Sequence, residues 1–272
     1  MLRVRVLRSG SAGNAIFVEA DGTRLLIDAG LPAETIVREL ETQGIPARLH
    51  AILLTHEHDD HLRGASAVAR ASGAVVLANE ATLRAAAGQL AGTPTEVFRT
   101  GRPFEVGPIE VIPFRLPHDA VEPVGFVLYA SGARVVVACD LGDATDAVIA
   151  HARGADLLLV EANYDLRLLT ASTYPWFLKN RIIGPRGHLS NDGAARVALA
   201  AAAAGARTVQ LVHVSEANNL APLARDTVRA ALDAHGLDAV VVEAVRPNAA
   251  GPWWGVPTAF SATTLPAPVA SR

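Results

Sequence analysis

Thiolate chemistry is nearly closed to this chain: Cys139 is its only cysteine, which excludes an internal disulfide and a cysteine-rich zinc site. Any metal must be held by histidine and carboxylate, and the scarcity of thiols fits a reducing cytoplasm, the expected location. Long hydrophobic runs are missing too. The longest apolar stretches, such as 133–138 and 157–160, are strand-sized, against the roughly 20 apolar residues that a spanning helix requires. A soluble protein without a membrane partner is therefore expected. Residues 1–8 alternate like a strand and lack the apolar block of an export signal. The net charge is −3, so attraction to a polyanion has to come from a local patch or from bound cations. Lysine is almost absent. Lys179 is the only one among 24 basic residues, which singles out its neighbourhood.

What is present is a chain of 272 residues that is 50% hydrophobic, enough for one large core. Strand-like runs at 4–7, 15–19 and 24–27 are separated by glycine-containing turns, as in consecutive hairpins. The pattern then alternates: a helix over 33–43, a buried strand at 51–54, a helix over 62–71 and a strand at 74–77. A second half repeats this progression, with strands at 109–114, 124–129, 134–138 and 156–160 and a helix near 144–151. Helices over 174–182, 192–204 and 220–235 and strands at 208–213 and 239–243 complete it. No linker divides the halves. Two β-sheets packed face to face with helices outside, an αββα sandwich, is the expected α/β architecture for a domain spanning 1–247. Residues 248–272, rich in Pro, Ala, Ser and Thr, are expected to form a partly ordered tail with a Trp253-Trp254 contact.

Three of the nine histidines fall in the run His56-Glu57-His58-Asp59-Asp60-His61, directly after an apolar strand. In an extended segment residues two apart share a side, so His56 and His58 can face one ion while Asp60 and His61 reach a second. A helical HExxH metalloprotease site would need histidine at position 60, where this chain has Asp60. Thr55 and Asp59 are read as loop geometry, and His50, His151 and His235 as surface or packing residues.

The run matches the HxHxDH signature of the metallo-β-lactamase superfamily, and the resemblance extends along the chain. Leu25-Leu26-Ile27-Asp28-Ala29-Gly30 resembles that family's first motif, whose aspartate supports the metal loop from behind, a role this assigns to Asp28. His118, Asp140 and His213 each follow a strand, and the resemblance implies that they complete a set of seven ligands. One divalent ion would take His56, His58 and His118 and the other Asp60, His61 and His213, with Asp140 bridging. A metal-bridging hydroxide would then be the nucleophile, oriented by Asp60. Zinc or manganese is the expected metal, with iron or nickel compatible with the same donors.

Several phrases resemble the YycJ (WalJ) branch of DNA exonucleases, relatives of the tRNA 3′-processing endonuclease. They are Ser9-Gly10-Ser11-Ala12-Gly13-Asn14, Glu161-Ala162-Asn163-Tyr164-Asp165, Tyr174-Pro175-Trp176, Gly187-His188-Leu189-Ser190-Asn191 and His213-Val214-Ser215-Glu216-Ala217-Asn218-Asn219. Cys139 stands where that branch usually has threonine. The resemblance implies a phosphodiesterase with a nucleic acid substrate, DNA before RNA, and 5′→3′ polarity. It also makes His188 the general acid held by Glu161. Phosphate is expected at Lys179, Arg181 and Arg186 and at the turn carrying Ser9, Ser11 and Asn14. Two alternatives stand beside it: a small-molecule ester, thioester or lactone hydrolase with the same ligands, and a metal-stabilised nucleic-acid-binding regulator without catalysis. Sequence leaves the oligomeric state open.

Overall fold

The structure is a computed structural model that describes residues 1–256. Its strands in chain order are β1 (Leu2–Arg8), β2 (Ala15–Ala20), β3 (Thr23–Ile27), β4 (Ala51–Leu53), β5 (Val75–Asn79), β6 (Thr95–Phe98) and β7 (Phe104–Val106). They continue with β8 (Ile109–Arg115), β9 (Val124–Ala130), β10 (Ala133–Ala138), β11 (Leu157–Glu161), β12 (Thr208–Val212), β13 (Val241–Ala244) and β14 (Trp254–Val256). The helices are α1 (Ala33–Thr42), α2 (Asp59–Leu62), α3 (Ala65–Ser72), α4 (Glu80–Ala85), α5 (Asp146–Ala152), α6 (Leu166–Ala171), α7 (Trp176–Ile183), α8 (Asn191–Ala203) and α9 (Ala221–Asp233).

These form two seven-stranded sheets, ordered β14-β1-β2-β3-β4-β5-β6 and β13-β12-β11-β10-β9-β8-β7. Each begins antiparallel and turns parallel, the first from β3 onward and the second from β10 onward. The side-chain alternation of the central strands explains the layering. Val135, Val137, Leu157 and Leu159 join the core that contains both sheets' facing residues, while Val136, Ala138, Leu158 and Val160 pack with residues of α5, α8 and α9. Strands buried on both faces read as unbroken apolar runs, as Val135 to Ala138 and Leu157 to Val160 do. Phe17 and Phe126 are fully buried, each stabilising the fold by about 1.5–3 kcal/mol relative to exposure.

The expected αββα sandwich is the observed one, with local departures. The single helix expected over 62–71 is two, because the chain turns at Arg63-Gly64 between α2 and α3. Gly64 sits against the neighbouring backbone, where an added Cβ would lie 1.8 Å from the carbonyl oxygen of Leu31. Several elements went unread: α4, β6, β7, α6 and β14 are too short to show a period. Of the stretch expected to be a tail, 254–256 pair with β1 as an edge strand. Trp253 packs edge-on to Phe17 at 6.1 Å with the Arg3 and Arg5 guanidinium groups over its ring. The rest of that expectation, 257–272, lies outside the described residues.

Candidate metal centre and active site

The parallel strands of both sheets deliver the site from their carboxyl ends, the place where α/β sheets collect ligands. Asp28 follows β3, the histidine run follows β4, Asp140 lies just past β10, Glu161 ends β11 and His213 follows β12. Asp28, Asp140 and His213 all adopt left-handed backbone conformations, with φ of 62°, 58° and 52°. That geometry costs a non-glycine residue roughly 1–2 kcal/mol. Strain of this kind, repeated at three strand ends, turns each side chain sharply out of its strand toward one centre.

The histidine run is not extended throughout. His58 is the last extended residue and N-caps α2, so Asp60 and His61 project from a helical turn. The chain approaches its neighbour closely here: a Cβ on Gly30 would sit 1.6 Å from the carbonyl oxygen of Asp60. Asn14 locks the same contact, its backbone N–H donating to the Asp60 carbonyl at 2.8 Å.

Four ring nitrogens are anchored by the protein, which aims the others inward. Asp28 Oδ2 meets His61 Nδ1 at 2.7 Å, and Thr55 Oγ1 lies 2.9 Å from both His56 Nδ1 and Asp28 Oδ2. His118 Nδ1 donates to the Gly187 carbonyl at 2.9 Å, and His213 Nδ1 lies 2.8 Å from Glu161 Oε1. The facing atoms form four overlapping groups whose donor atoms lie within 4.8 Å of one another, among them the triads His56/His58/His118 and Asp60/His61/His213, with His56/His61/Asp140 and Asp140/Glu161/His188/His213 linking them. Asp140 Oδ2 is 2.6 Å from His61 Nε2 and 4.0 Å from His56 Nε2, between the two triads. His56 Nε2 and His213 Nε2 are buried with no hydrogen-bond partner among the described residues. An orphaned buried nitrogen is costly, so these two atoms fit a cation directly. The donor set of imidazole and carboxylate suits a divalent first-row metal.

His188 forms the next layer. Its Nδ1 donates to Glu161 Oε1 at 2.7 Å, and it lines a cleft of about 420 Å³ with His58, Asp60, His118, Asp140 and His213. Burial alone would lower its pKa, but the Glu161 and Asp140 carboxylates raise it to about 9, so the ring holds its proton at neutral pH. The hydroxyl of Ser190, not His188, caps α8, accepting from Gly193 N at 3.1 Å.

The sequence matches the Beta-lactamase superfamily domain over residues 23–214. It is 34% identical over 229 residues to Exodeoxyribonuclease WalJ of Streptococcus pneumoniae serotype 2 (strain D39 / NCTC 7466), covering 82% of this chain and 85% of that protein. The chain belongs to the metallo-β-lactamase superfamily. A second relative of this superfamily member, Exodeoxyribonuclease YycJ of Bacillus anthracis, is 33% identical over 86% of this chain and 90% of that protein. Among solved structures, the metallo-β-lactamase fold protein YhfI from Bacillus subtilis superposes with a TM-score of 0.73 at 19% identity, over 94% of this chain and 100% of that one. A diphosphatase from the PhnP family gives 0.66 at 19% identity, over 95% and 99%. Both share the fold. As a superfamily member of this kind the protein is a metal-dependent hydrolase. Among the described residues, no helix is long and apolar enough to cross a membrane.

The residues expected at phosphate scatter. Ser11 and Arg181 line the cleft, and Arg181 Nε donates to Asp119 Oδ2 at 2.7 Å. Lys179 is turned inward: its Nζ donates to the carbonyls of Thr170 and Ser172, both at 2.7 Å, and it is only 9% exposed. Arg186 likewise donates to the carbonyls of His118 and Ala120. Ser9 and Asn14 bind the protein itself, for Ser9 Oγ accepts from His213 N and donates to Asn14 Oδ1. For these four the inward placement has one cause. Polar groups beside a buried turn or loop satisfy backbone partners first.

Sequence reasoning also passed over Thr55, which bonds Asp28 and His56, and Asn163, whose Nδ2 donates to the His213 carbonyl at 3.0 Å. A readable signal existed for Thr55 in its place directly ahead of the histidine run. For Asn163 there was none outside the resemblance.

Proposed function

We propose that the protein is a DNA phosphodiesterase, a 5′→3′ exonuclease working with two divalent cations in a reducing cytoplasm. His56, His58 and His118 would hold one cation and Asp60, His61 and His213 the other, with Asp140 shared; zinc or manganese fits these donors first. Bound there, such cations supply Lewis acidity, polarising a phosphoryl group and bringing the pKa of water toward neutrality.

The protein's own groups do the rest. His213 and His61 hold the Asp60 carboxylate ionised, well below the usual range, although burial opposes this. Its oxygen at the cleft can orient an attacking water. The new bond joins that water's oxygen to phosphorus, and the bond to the leaving alkoxide oxygen breaks. His188 gives its Nε2 proton to that oxygen while Glu161 keeps the ring oriented through Nδ1. The observation that carries the reading is this His188–Glu161 pair at the cleft wall. An alkoxide is a poor leaving group and gains about 10²–10⁴-fold from a placed acid, whereas an activated ester gains little. The curated relatives named as exodeoxyribonucleases support DNA as the substrate.

The test is His188→Ala with its metal content measured alongside. Turnover of end-labelled DNA should fall about 10²–10⁴-fold, with far smaller loss on a p-nitrophenyl phosphodiester, whose phenolate leaves without help. Equal losses on both substrates, or wild-type ester hydrolysis without DNA cleavage, would overturn it. The same labelled strands, offered single and double and as RNA with different ions, read out polarity and metal preference.

A further inference from the structure

From Leu166 to Asn191 the chain contains no acidic residue, yet it carries Arg167, Lys179, Arg181 and Arg186 in a protein of net charge −3. The same segment gathers exposed apolar side chains: Leu166, Leu168, Trp176, Phe177 and Ile183. Elsewhere among the described residues such side chains are isolated along the sequence, at Met1, Val97, Val121, Leu220, Val241 and Trp253. Phe177 and Trp176 are 75% and 67% exposed, in a chain that is only 5% aromatic. Two adjacent rings left in water beside the Arg167 guanidinium and that of Arg181, which Asp119 pairs, match a strand of unpaired nucleotides, which offers both flat bases and a polyanionic backbone.

The surface is continuous with the site. Tyr174 and, on α7, Leu178, Arg181 and Ile182 line the cleft. Residues four apart on a helix are neighbours, so Phe177 stands one turn before the cleft-lining Arg181. We infer that α6 and α7 form a platform for single-stranded DNA, with Trp176 and Phe177 stacking on unpaired bases and Arg181 and Arg167 meeting phosphates. This inference rests on the nuclease reading of the cleft and names which form of DNA enters it. A duplex, whose bases are already stacked, has no face to give these rings until its end frays.

The experiment compares the wild type with the Trp176→Ala/Phe177→Ala pair, a Trp176→Leu/Phe177→Leu pair and a Trp176→Phe/Phe177→Tyr pair. Both positions are exposed, and unfolding curves check that each variant is folded. Binding is read by anisotropy of a fluorescein-labelled single-stranded oligothymidylate with phosphorothioate linkages, and turnover on the ordinary oligonucleotide. Loss of base stacking should raise Kd and KM about tenfold or more in the alanine and leucine pairs, with kcat much less affected. The aromatic pair should restore both constants.

Unaltered Kd and KM in the alanine pair overturn the platform, even where DNA is cleaved. Full rescue by leucine overturns it as well, since the surface would then serve a merely apolar partner such as lipid or a second copy of this chain. Ring-dependent binding without cleavage by the metal-loaded wild type would keep the platform and overturn the nuclease reading.

Discussion

The two sheets build one site in opposite ways. The first concentrates its contribution: Thr55, His56, His58, Asp60 and His61 leave the end of β4 in a single loop and helical turn, braced from behind by Asp28. The second disperses it, sending His118, Asp140, Glu161, His188 and His213 from separate strand ends and loops. Concentration makes a motif; dispersal makes the motif depend on the fold. The first half can aim its histidines with local hydrogen bonds, whereas the second must rely on strand order, because β10, β11 and β12 lie side by side only in the folded sheet.

Asp140 is where the halves meet, and replacing it tests that comparison most severely. Its carboxylate lies between the two triads, so Asp140→Ala should weaken both. Lewis-acid stabilisation is worth several kcal/mol, which predicts a fall in turnover on the order of 10³-fold. Metal content by elemental analysis should drop with it. Retention of the full metal complement would mean that each triad, already drawn from both sheets, needs no bridging carboxylate, and that Asp140 is not the link between them.

A gentler pair of changes compares the supports. Asp28→Asn removes the carboxylate behind His61, and Glu161→Gln the one shared by His213 and His188. Each should cost about 10–100-fold in metal affinity, measured by competition with a chromophoric chelator. Only Glu161→Gln should add a loss specific to poor leaving groups, because only it also orients the acid. Identical substrate profiles for the two variants would erase the distinction between the halves.

The same contrast explains what sequence could convey. The histidine run is legible because its candidate ligands are contiguous and sit after an apolar strand, so periodicity and chemistry coincide. His118, Asp140 and His213 are single residues at strand ends, and without the family resemblance each reads as an ordinary turn. Aspartate and histidine are enriched in the left-handed backbone seen at Asp28, Asp140 and His213, but that preference suits any turn and does not mark a ligand. The strands of the αββα sandwich were legible where burial on both faces leaves unbroken apolar runs. Short edge elements such as β7 and β14 depend on pairing partners that sequence does not display. The orientation of the residues expected at phosphate was illegible for a related reason. Nearness in sequence to His188 says nothing about which way a long side chain points, and Lys179 and Arg186 point at backbone carbonyls.

Lys179 gives the smallest expected effect on the reaction and the sharpest test of that point. Its ammonium is buried beneath the α6–α7 connection and donates to two carbonyls there. Lys179→Ala leaves both acceptors short of a partner, at a cost of about 1–3 kcal/mol, visible as a lower midpoint in urea denaturation. A phosphate-binding lysine would behave differently: its removal would weaken DNA binding and flatten the salt dependence of that binding, with little change in the unfolding midpoint. The positive charge of this segment would then rest at its surface on Arg167 and on Arg181, which Asp119 pairs, with Lys179 acting from within by tying α7 to the Thr170 and Ser172 carbonyls.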